Sequence, residues 1–298
     1  MLFYMKPIQS SRNCHKSRQG GFTLVELLVS LGLFSLIGAL VARVIVLQSD
    51  TYMTDISRVR IQQNLRGALD VMAMNVRQAG ENLNSFFPAV VMTSAPSIAL
   101  RRNLVQQVLS ACQNIVGPQI FIDNPAATTP ACLPVDIAPS LAAWESYRVA
   151  QGGTVPIYIY DIVSKTGEFV NYTGTGSNST GDFLYISAPV NQYPQASTNM
   201  YVLEEYLFSI NAATNTVELT IDQAANSQED VAYDVTQLQM QITMQDGTVV
   251  TSLSPSSTYN WGNIQNVYIA MTGQDTWKSH TVTRTVDGQY FPRNVLSQ

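Results

Sequence analysis

The chain has 298 residues, is 46% hydrophobic and only 12% charged, and carries a formal net charge of −5. That length allows a membrane anchor plus one sizeable or two small domains. The acidic balance argues against a large nucleic-acid-binding surface, which needs clustered Lys and Arg; a small basic patch stays open.

Residues 1–21 are polar and hold Lys6, Arg12, Lys16 and Arg18 with no acids. They read as a leader and not as part of the fold. Residues 22–42 follow as an apolar run of 21 residues with one ionisable side chain, Glu26. As a helix this run spans about 31 Å, the hydrocarbon thickness of a bilayer. Four basic residues before it and only Arg43 just after it place the N-terminus in the cytoplasm and everything beyond about residue 45 outside. A secretory signal has its small-residue cleavage site after the apolar core. Here the candidate site precedes the core, so the helix is retained. A carboxylate in hydrocarbon costs on the order of several kcal/mol unless it is partnered. Glu26 therefore either sits at headgroup depth facing water or awaits a positive charge from elsewhere.

Gly21-Phe22-Thr23-Leu24-Val25-Glu26, preceded by a basic leader and followed by an apolar helix, resembles the signal of type IV prepilins and type II secretion pseudopilins. The resemblance implies cleavage by a prepilin peptidase between Gly21 and Phe22 and N-methylation of Phe22. It also implies pairing of Glu26 with the terminal ammonium of a neighbouring subunit. Cutting after Gly21 leaves 277 residues and takes the formal charge to −9.

The helix is expected to run on from Phe22 to Ala79. Ile61, Leu65, Leu69 (or Ala68), Met72, Val76 and Ala79 recur at steps of three and four, opposite Arg58, Arg60, Gln63, Arg66, Asp70 and Arg77. Gly80 reads as its stop, and Met72 and Met74 read as core filling. Ser97–Cys112 is predicted as a second helix, with a short strand at Gln119–Ile122. Candidate strands then cover Val155–Val163, Phe183–Ala188, Met200–Ile210, Thr216–Asp222, Leu238–Gln245, Thr248–Leu253, Val267–Thr272 and Thr281–Val286. Asp246-Gly247 reads as a hairpin turn, and Thr173–Gly181 as a flexible loop. The expected fold is α+β and pilin-like, a long helix packed on an antiparallel sheet. Its divisions are a leader 1–21, the long helix 22–80 with its membrane half 22–42, a variable region 81–150 and a β-rich head 151–298.

Cys14 lies in the leader. Cys112 and Cys132 remain as an even pair in a region placed outside the cytoplasm and are read as a disulfide, worth about 3 kcal/mol. Two free buried thiols are the alternative. No Cys or His lies at zinc spacing. There is no Gly-x-Ser-x-Gly, His-Glu-x-x-His or phosphate-loop pattern, so no enzyme and no cofactor are expected. His280 reads as an exposed strand residue. Glu204-Glu205 and Glu229-Asp230 read as solvated surface acids, with calcium as the sharper alternative. Asn171 and Asn178 match glycosylation acceptors. Tyr147, Tyr158, Tyr160, Tyr172 and Tyr185 read as strand packing ahead of a ligand surface.

Leu65–Asp70, Asn75–Gly80, Val231–Gly247, Val267–Met271 and Phe291–Val295 resemble PilW-type minor pilins, and the J-type pseudopilins share the layout. The resemblance implies a minor pilin that primes, and in one version caps, a type IV pilus. Its partners would be the peptidase, other minor and major pilins and inner-membrane lipid. Small residues Ser30, Gly32, Ser35, Gly38 and Ala39 allow close helix approach there. A minor pseudopilin of type II secretion is the near alternative, and a tip adhesin or DNA-uptake subunit the distant one.

Overall fold

A computed structural model describes residues 21–92, 96–124, 132, 134–223, 227–255, 257, 259–278 and 280–296. The fold is α+β: helix α1 (Leu24–Gln78) is followed by antiparallel β-structure. In chain order come β1 (Val90–Met92), β2 (Ser97–Asn103), β3 (Leu109–Ser110), β4 (Gln119–Phe121), α2 (Pro134–Ala150), β5 (Val155–Asp161), β6 (Thr166–Asn178), β7 (Gly181–Ile186), β8 (Thr198–Tyr201), β9 (Leu203–Asn211), β10 (Thr216–Ile221), β11 (Glu229–Ala232), β12 (Val235–Met244), β13 (Val249–Val250), β14 (Ile264–Trp277), β15 (His280–Tyr290) and α3 (Arg293–Leu296). The chain divides into two compact units, Met1–Met53 and Thr54–Gln298.

In the second unit α1 is amphipathic, as its spacing predicts. Ile61, Leu65, Ala68, Leu69, Met72 and Val76 are buried, while Arg58, Arg66, Asp70 and Arg77 are exposed. Met72 is fully buried, but Met74 is 53% exposed and does not fill the core as expected. Two residues past Met72 is 200° around a helix, so only one of the pair can face inward. Gly80 ends the helix with φ +84°, a conformation that costs glycine little, and its N–H donates to Arg101 O at 2.9 Å.

Three sheets make up the head, with orders β1-β2-β9-β10-β11, β13-β12-β14-β15 and β3-β8-β5-β6-β7-β4. The long hairpins are local: β14 and β15 pair from Val267–Tyr290 to Trp277–His280. The third sheet mixes distant segments, since β3 pairs with β8 and β4 with β7.

Strand β5 separates two hydrophobic cores. Its Tyr158 and Tyr160 face a core built on α1, together with Phe87, Tyr201 and Leu203. Its Val155, Ile157 and Ile159 face a second core with Trp144 of α2, Val170, Leu184 and Met200. The Phe87 ring lies 5.0 Å from Tyr160 and 4.6 Å from Tyr201, centroid to centroid. Alternation along β5 thus distributes side chains between two interiors, and all but Pro156 are buried.

Besides Met74, four readings are corrected. The segment Ser97–Cys112 forms β2 and β3 rather than a helix. β2 is paired on both sides, with Val90 opposite Leu100 and Glu205 opposite Arg101, and these distant pairings outweigh the local helical spacing. Thr173–Gly181 is not a loop: β6 runs to Asn178 beside β7. Its glycines sit opposite bulky rings, and a Cβ on Gly176 would lie 2.6 Å from the Phe183 ring. Helix α2 was absent from the expected elements because Pro134 and Pro139 masked it. Ile137, Leu141, Trp144 and Tyr147 nevertheless keep helical spacing, and Trp144 Nε1 donates to Gln107 O at 2.9 Å. Finally, Glu204 and Glu205 are not solvated acids. Glu205 is buried and accepts from Arg101 Nε at 2.6 Å and Gln223 Nε2 at 2.9 Å; Glu204 pairs with Arg102. Arg102 also donates to Gln78 Oε1 at 2.9 Å, tying the cluster to the end of α1.

Breaking one half of a buried ion pair leaves an uncompensated charge. Arg101→Met is therefore expected to destabilise the head by about 3–5 kcal/mol, whereas Arg101→Met with Glu205→Leu recovers most of that loss. Denaturant midpoints of the full chain in detergent check both.

Asp222 sits beside this cluster, accepting from Glu205 N–H at 2.8 Å. Burial, reinforced by the Glu204 and Glu205 carboxylates, pushes its carboxyl up to about 6. The folded state then holds this proton more tightly than the unfolded chain, so this contribution to stability is lost as pH rises from about 4 to 6. Asp222→Asn, which keeps the acceptor, is expected to be more stable than the parent at pH 7 by about 1–2 kcal/mol, discounted for partial exposure. The gap should close by pH 4 in parallel thermal scans.

Candidate processing and assembly site

The site begins where α1 begins. Thr23 is the residue before the helix, and Glu26 lies three residues on. Glu26 Oε2 accepts from Thr23 N–H at 3.0 Å and from the Thr23 hydroxyl at 3.1 Å. In return the Glu26 N–H donates to Thr23 Oγ1 at 3.3 Å. This is a capping box, in which a Ser or Thr and a Glu three residues later satisfy each other's backbone donors. The sequence signal for this cap is Thr-Leu-Val-Glu itself, part of the motif whose resemblance implies processing and assembly. Phe22 is 86% exposed, and an added Cβ on Gly21 would meet nothing within 4 Å. Residues 1–20, including Cys14 and the leader bases, lie outside the described residues.

Beyond the cap, every large hydrophobic side chain from Phe22 to Leu47 is at least half exposed. The helix is long and apolar enough to cross a membrane, by length and composition. Ser30 and Ser35 donate back to Glu26 O at 2.7 Å and Gly32 O at 2.8 Å, so neither hydroxyl is left bare. A Cβ on Gly32 or Gly38 would meet nothing within 4 Å, leaving notches on the helix surface.

The other predicted site residues lie in the head. Cys112 and Cys132 are buried with Cα atoms 5.7 Å apart, at disulfide distance. Cys112 N–H donates to Phe121 O, and Cys132 O accepts from Asn124 N–H, so backbone bonds fix the approach. His280 and the acids Glu229 and Asp230 are exposed. Among the described residues no three His, Cys, Asp or Glu side chains are grouped to hold a metal ion. Tyr158, Tyr160 and Tyr172 are buried, Tyr147 is partly buried, and Tyr185 is exposed. Asn171 and Asn178 are exposed on β6.

The family described as the prokaryotic N-terminal methylation motif matches residues 16–42. That match supports a type IV pilin-like or pseudopilin protein, a membrane anchor, processing by prepilin peptidase and assembly with other pilins. No curated protein and no solved structure matches the chain.

Loss of the cap should be visible locally. Thr23→Val removes the hydroxyl at nearly constant volume and is expected to cost about 1 kcal/mol, speeding exchange of the Glu26 amide about fivefold in micelles. Thr23→Ser should exchange like the parent chain.

Proposed function

We propose that this chain is a PilW-like minor pilin, made as a prepilin and held in the inner membrane by residues 22–42. In this reading the N-terminus is cytoplasmic and the head periplasmic. The peptidase cuts between Gly21 and Phe22 and methylates the new Phe22 amine. Other minor pilins then join the subunit in a complex that primes a type IV pilus and stays at its tip. No chemistry on a small substrate is part of this role.

The observation that carries the reading is a processing motif set at the start of a helix whose apolar side chains are unburied. Such a helix needs lipid before assembly and neighbouring helices after it. Glu26 gives the transfer direction. Two charges that are each costly in hydrocarbon become tolerable when the carboxylate meets an ammonium there. The capping bonds to Thr23 hold the carboxylate until a neighbour's Phe22 amine replaces part of that partnership. The approach of Cys112 and Cys132 supports a disulfide that ties the segment between β4 and α2 to the second core. Such a crosslink suits an oxidising compartment.

Gly21→Glu is expected to leave the leader in place. Glu26→Val should be cut and inserted normally but enter sheared filaments at about a tenth of the parent level or less, the loss expected of a missing pair of about 1.4 kcal/mol or more. A clean deletion scored for surface pili and for secreted proteins separates the systems. Loss of pili with normal secretion fits the proposal. Loss of secretion with normal pili moves the chain to the type II pseudopilus.

A further inference from the structure

Strand β12 is open along much of one edge. On its other side β14 pairs with it over nearly its full length. On the open side β13 pairs only Ile242 and Thr243, with Val250 and Val249. The chain then leaves β12: Leu253 and Met92 exchange backbone bonds at 2.7 and 2.9 Å, so the segment after β13 is drawn to the neighbouring sheet. The divergence opens a cleft of about 510 Å³. One wall is Thr236–Gln241, which begins at a bulge in β12; the facing wall includes Met92, Ile210 and Ala212.

Backbone alternation fixes what this edge presents. Met244 N–H donates toward β13, to Thr248 O, whereas Gln245 N–H donates toward β14, to Asn263 O. Beyond the bulge at Thr236, the even-numbered residues Leu238, Met240, Ile242 and Met244 therefore turn their N–H and C=O to this side. Leu238 and Met240 do so with their side chains buried below, and among the described residues no strand pairs with them there. An edge of this kind is matched by another polypeptide backbone.

We infer that the cleft accepts an extended, uncharged segment of a different subunit, added to β12 in line with β13. Its length is set by the regular stretch Gln237–Gln241 beyond the bulge, about 17 Å of strand. Charge decides the occupant. None of the described residues lining the cleft is Asp, Glu, Lys or Arg. The long open edge this chain itself offers, β15, carries His280, Arg284 and Asp287. Seating those charges against an uncharged wall would desolvate them without a partner. The fitting strand alternates Val with Ser or Thr, burying one face against Met92 and Ile210. The choice of a fellow subunit rests on the pilin reading; the strand-accepting edge does not.

Amide exchange on the full chain in detergent tests this, using synthetic peptides as probes. A heptapeptide alternating Val with Ser and Thr is expected to slow exchange at Leu238 and Met240 about tenfold or more while leaving Gln239, bonded toward β14, unchanged. A central lysine or proline in the peptide, or Gln239→Lys in the protein, should abolish the effect. If no peptide slows these amides, or if they are already as protected as Gln239 in the free chain, the inference is overturned. Stronger protection by a peptide of residues 280–290 would assign the cleft to a second copy and overturn the stated occupant. Removal of the leader is read separately by mass, so failure of the pilin reading and failure of the cleft are distinguishable.

Discussion

The chain carries more apolar surface than it can bury within itself. From Phe22 to Leu47 the large hydrophobic side chains of α1 stay exposed, while the helix satisfies its own interior backbone groups. Such a segment is stable in lipid or against other apolar helices and nowhere else. A helix starting in that medium has a further difficulty, because its first amides have no intrahelical acceptors. Thr23 and Glu26 answer it by capping each other. The residues that carry the processing motif thus also close the end of the helix. This gives the Thr-Leu-Val-Glu spacing a reason in helix chemistry beside its part in recognition.

The head solves a different problem. One helix face and one sheet would make a single core. Here β5 has interiors on both sides, with tyrosines toward α1 and isoleucines toward α2. The buried Arg101–Glu205 pair joins β2 to β9, and Arg102 reaches Gln78 at the end of α1. Polar contacts therefore fix the register where the helix hands over to the sheets, while the apolar contacts supply most of the burial. The proposed crosslink between Cys112 and Cys132 lies at the second core, in the part of the chain richest in proline and small residues.

Strong periodicity was legible from sequence. The stripe from Ile61 to Val76, the stop at Gly80 and most of the strands after Val155 follow from spacing and turn chemistry alone. What misled was pairing between distant segments. Leu104, Val105, Val108 and Leu109 suggest a helix, yet the residues before them complete a sheet whose partner lies about a hundred positions on. The glycines of 173–181 look mobile until Phe183 and Tyr185 are placed opposite them. Glu204 and Glu205 look solvated until Arg101 and Arg102 arrive across the ladder. At the N-terminal site the motif from Gly21 to Glu26 is local, and the methylation-motif match covers it without any distant pairing. The same four letters, Thr-Leu-Val-Glu, also encode the capping bonds. The open edge of β12 was hidden, since it depends on where β13 leaves its partner.

Processing is tested most directly by the intact mass and N-terminal fragmentation of the chain recovered from native membranes and filaments. A product beginning at N-methylated Phe22, with one bond between Cys112 and Cys132, is expected. A product beginning at Met1, or one cut beyond Ala42 so that the apolar helix is lost, would contradict a pilin-like life cycle.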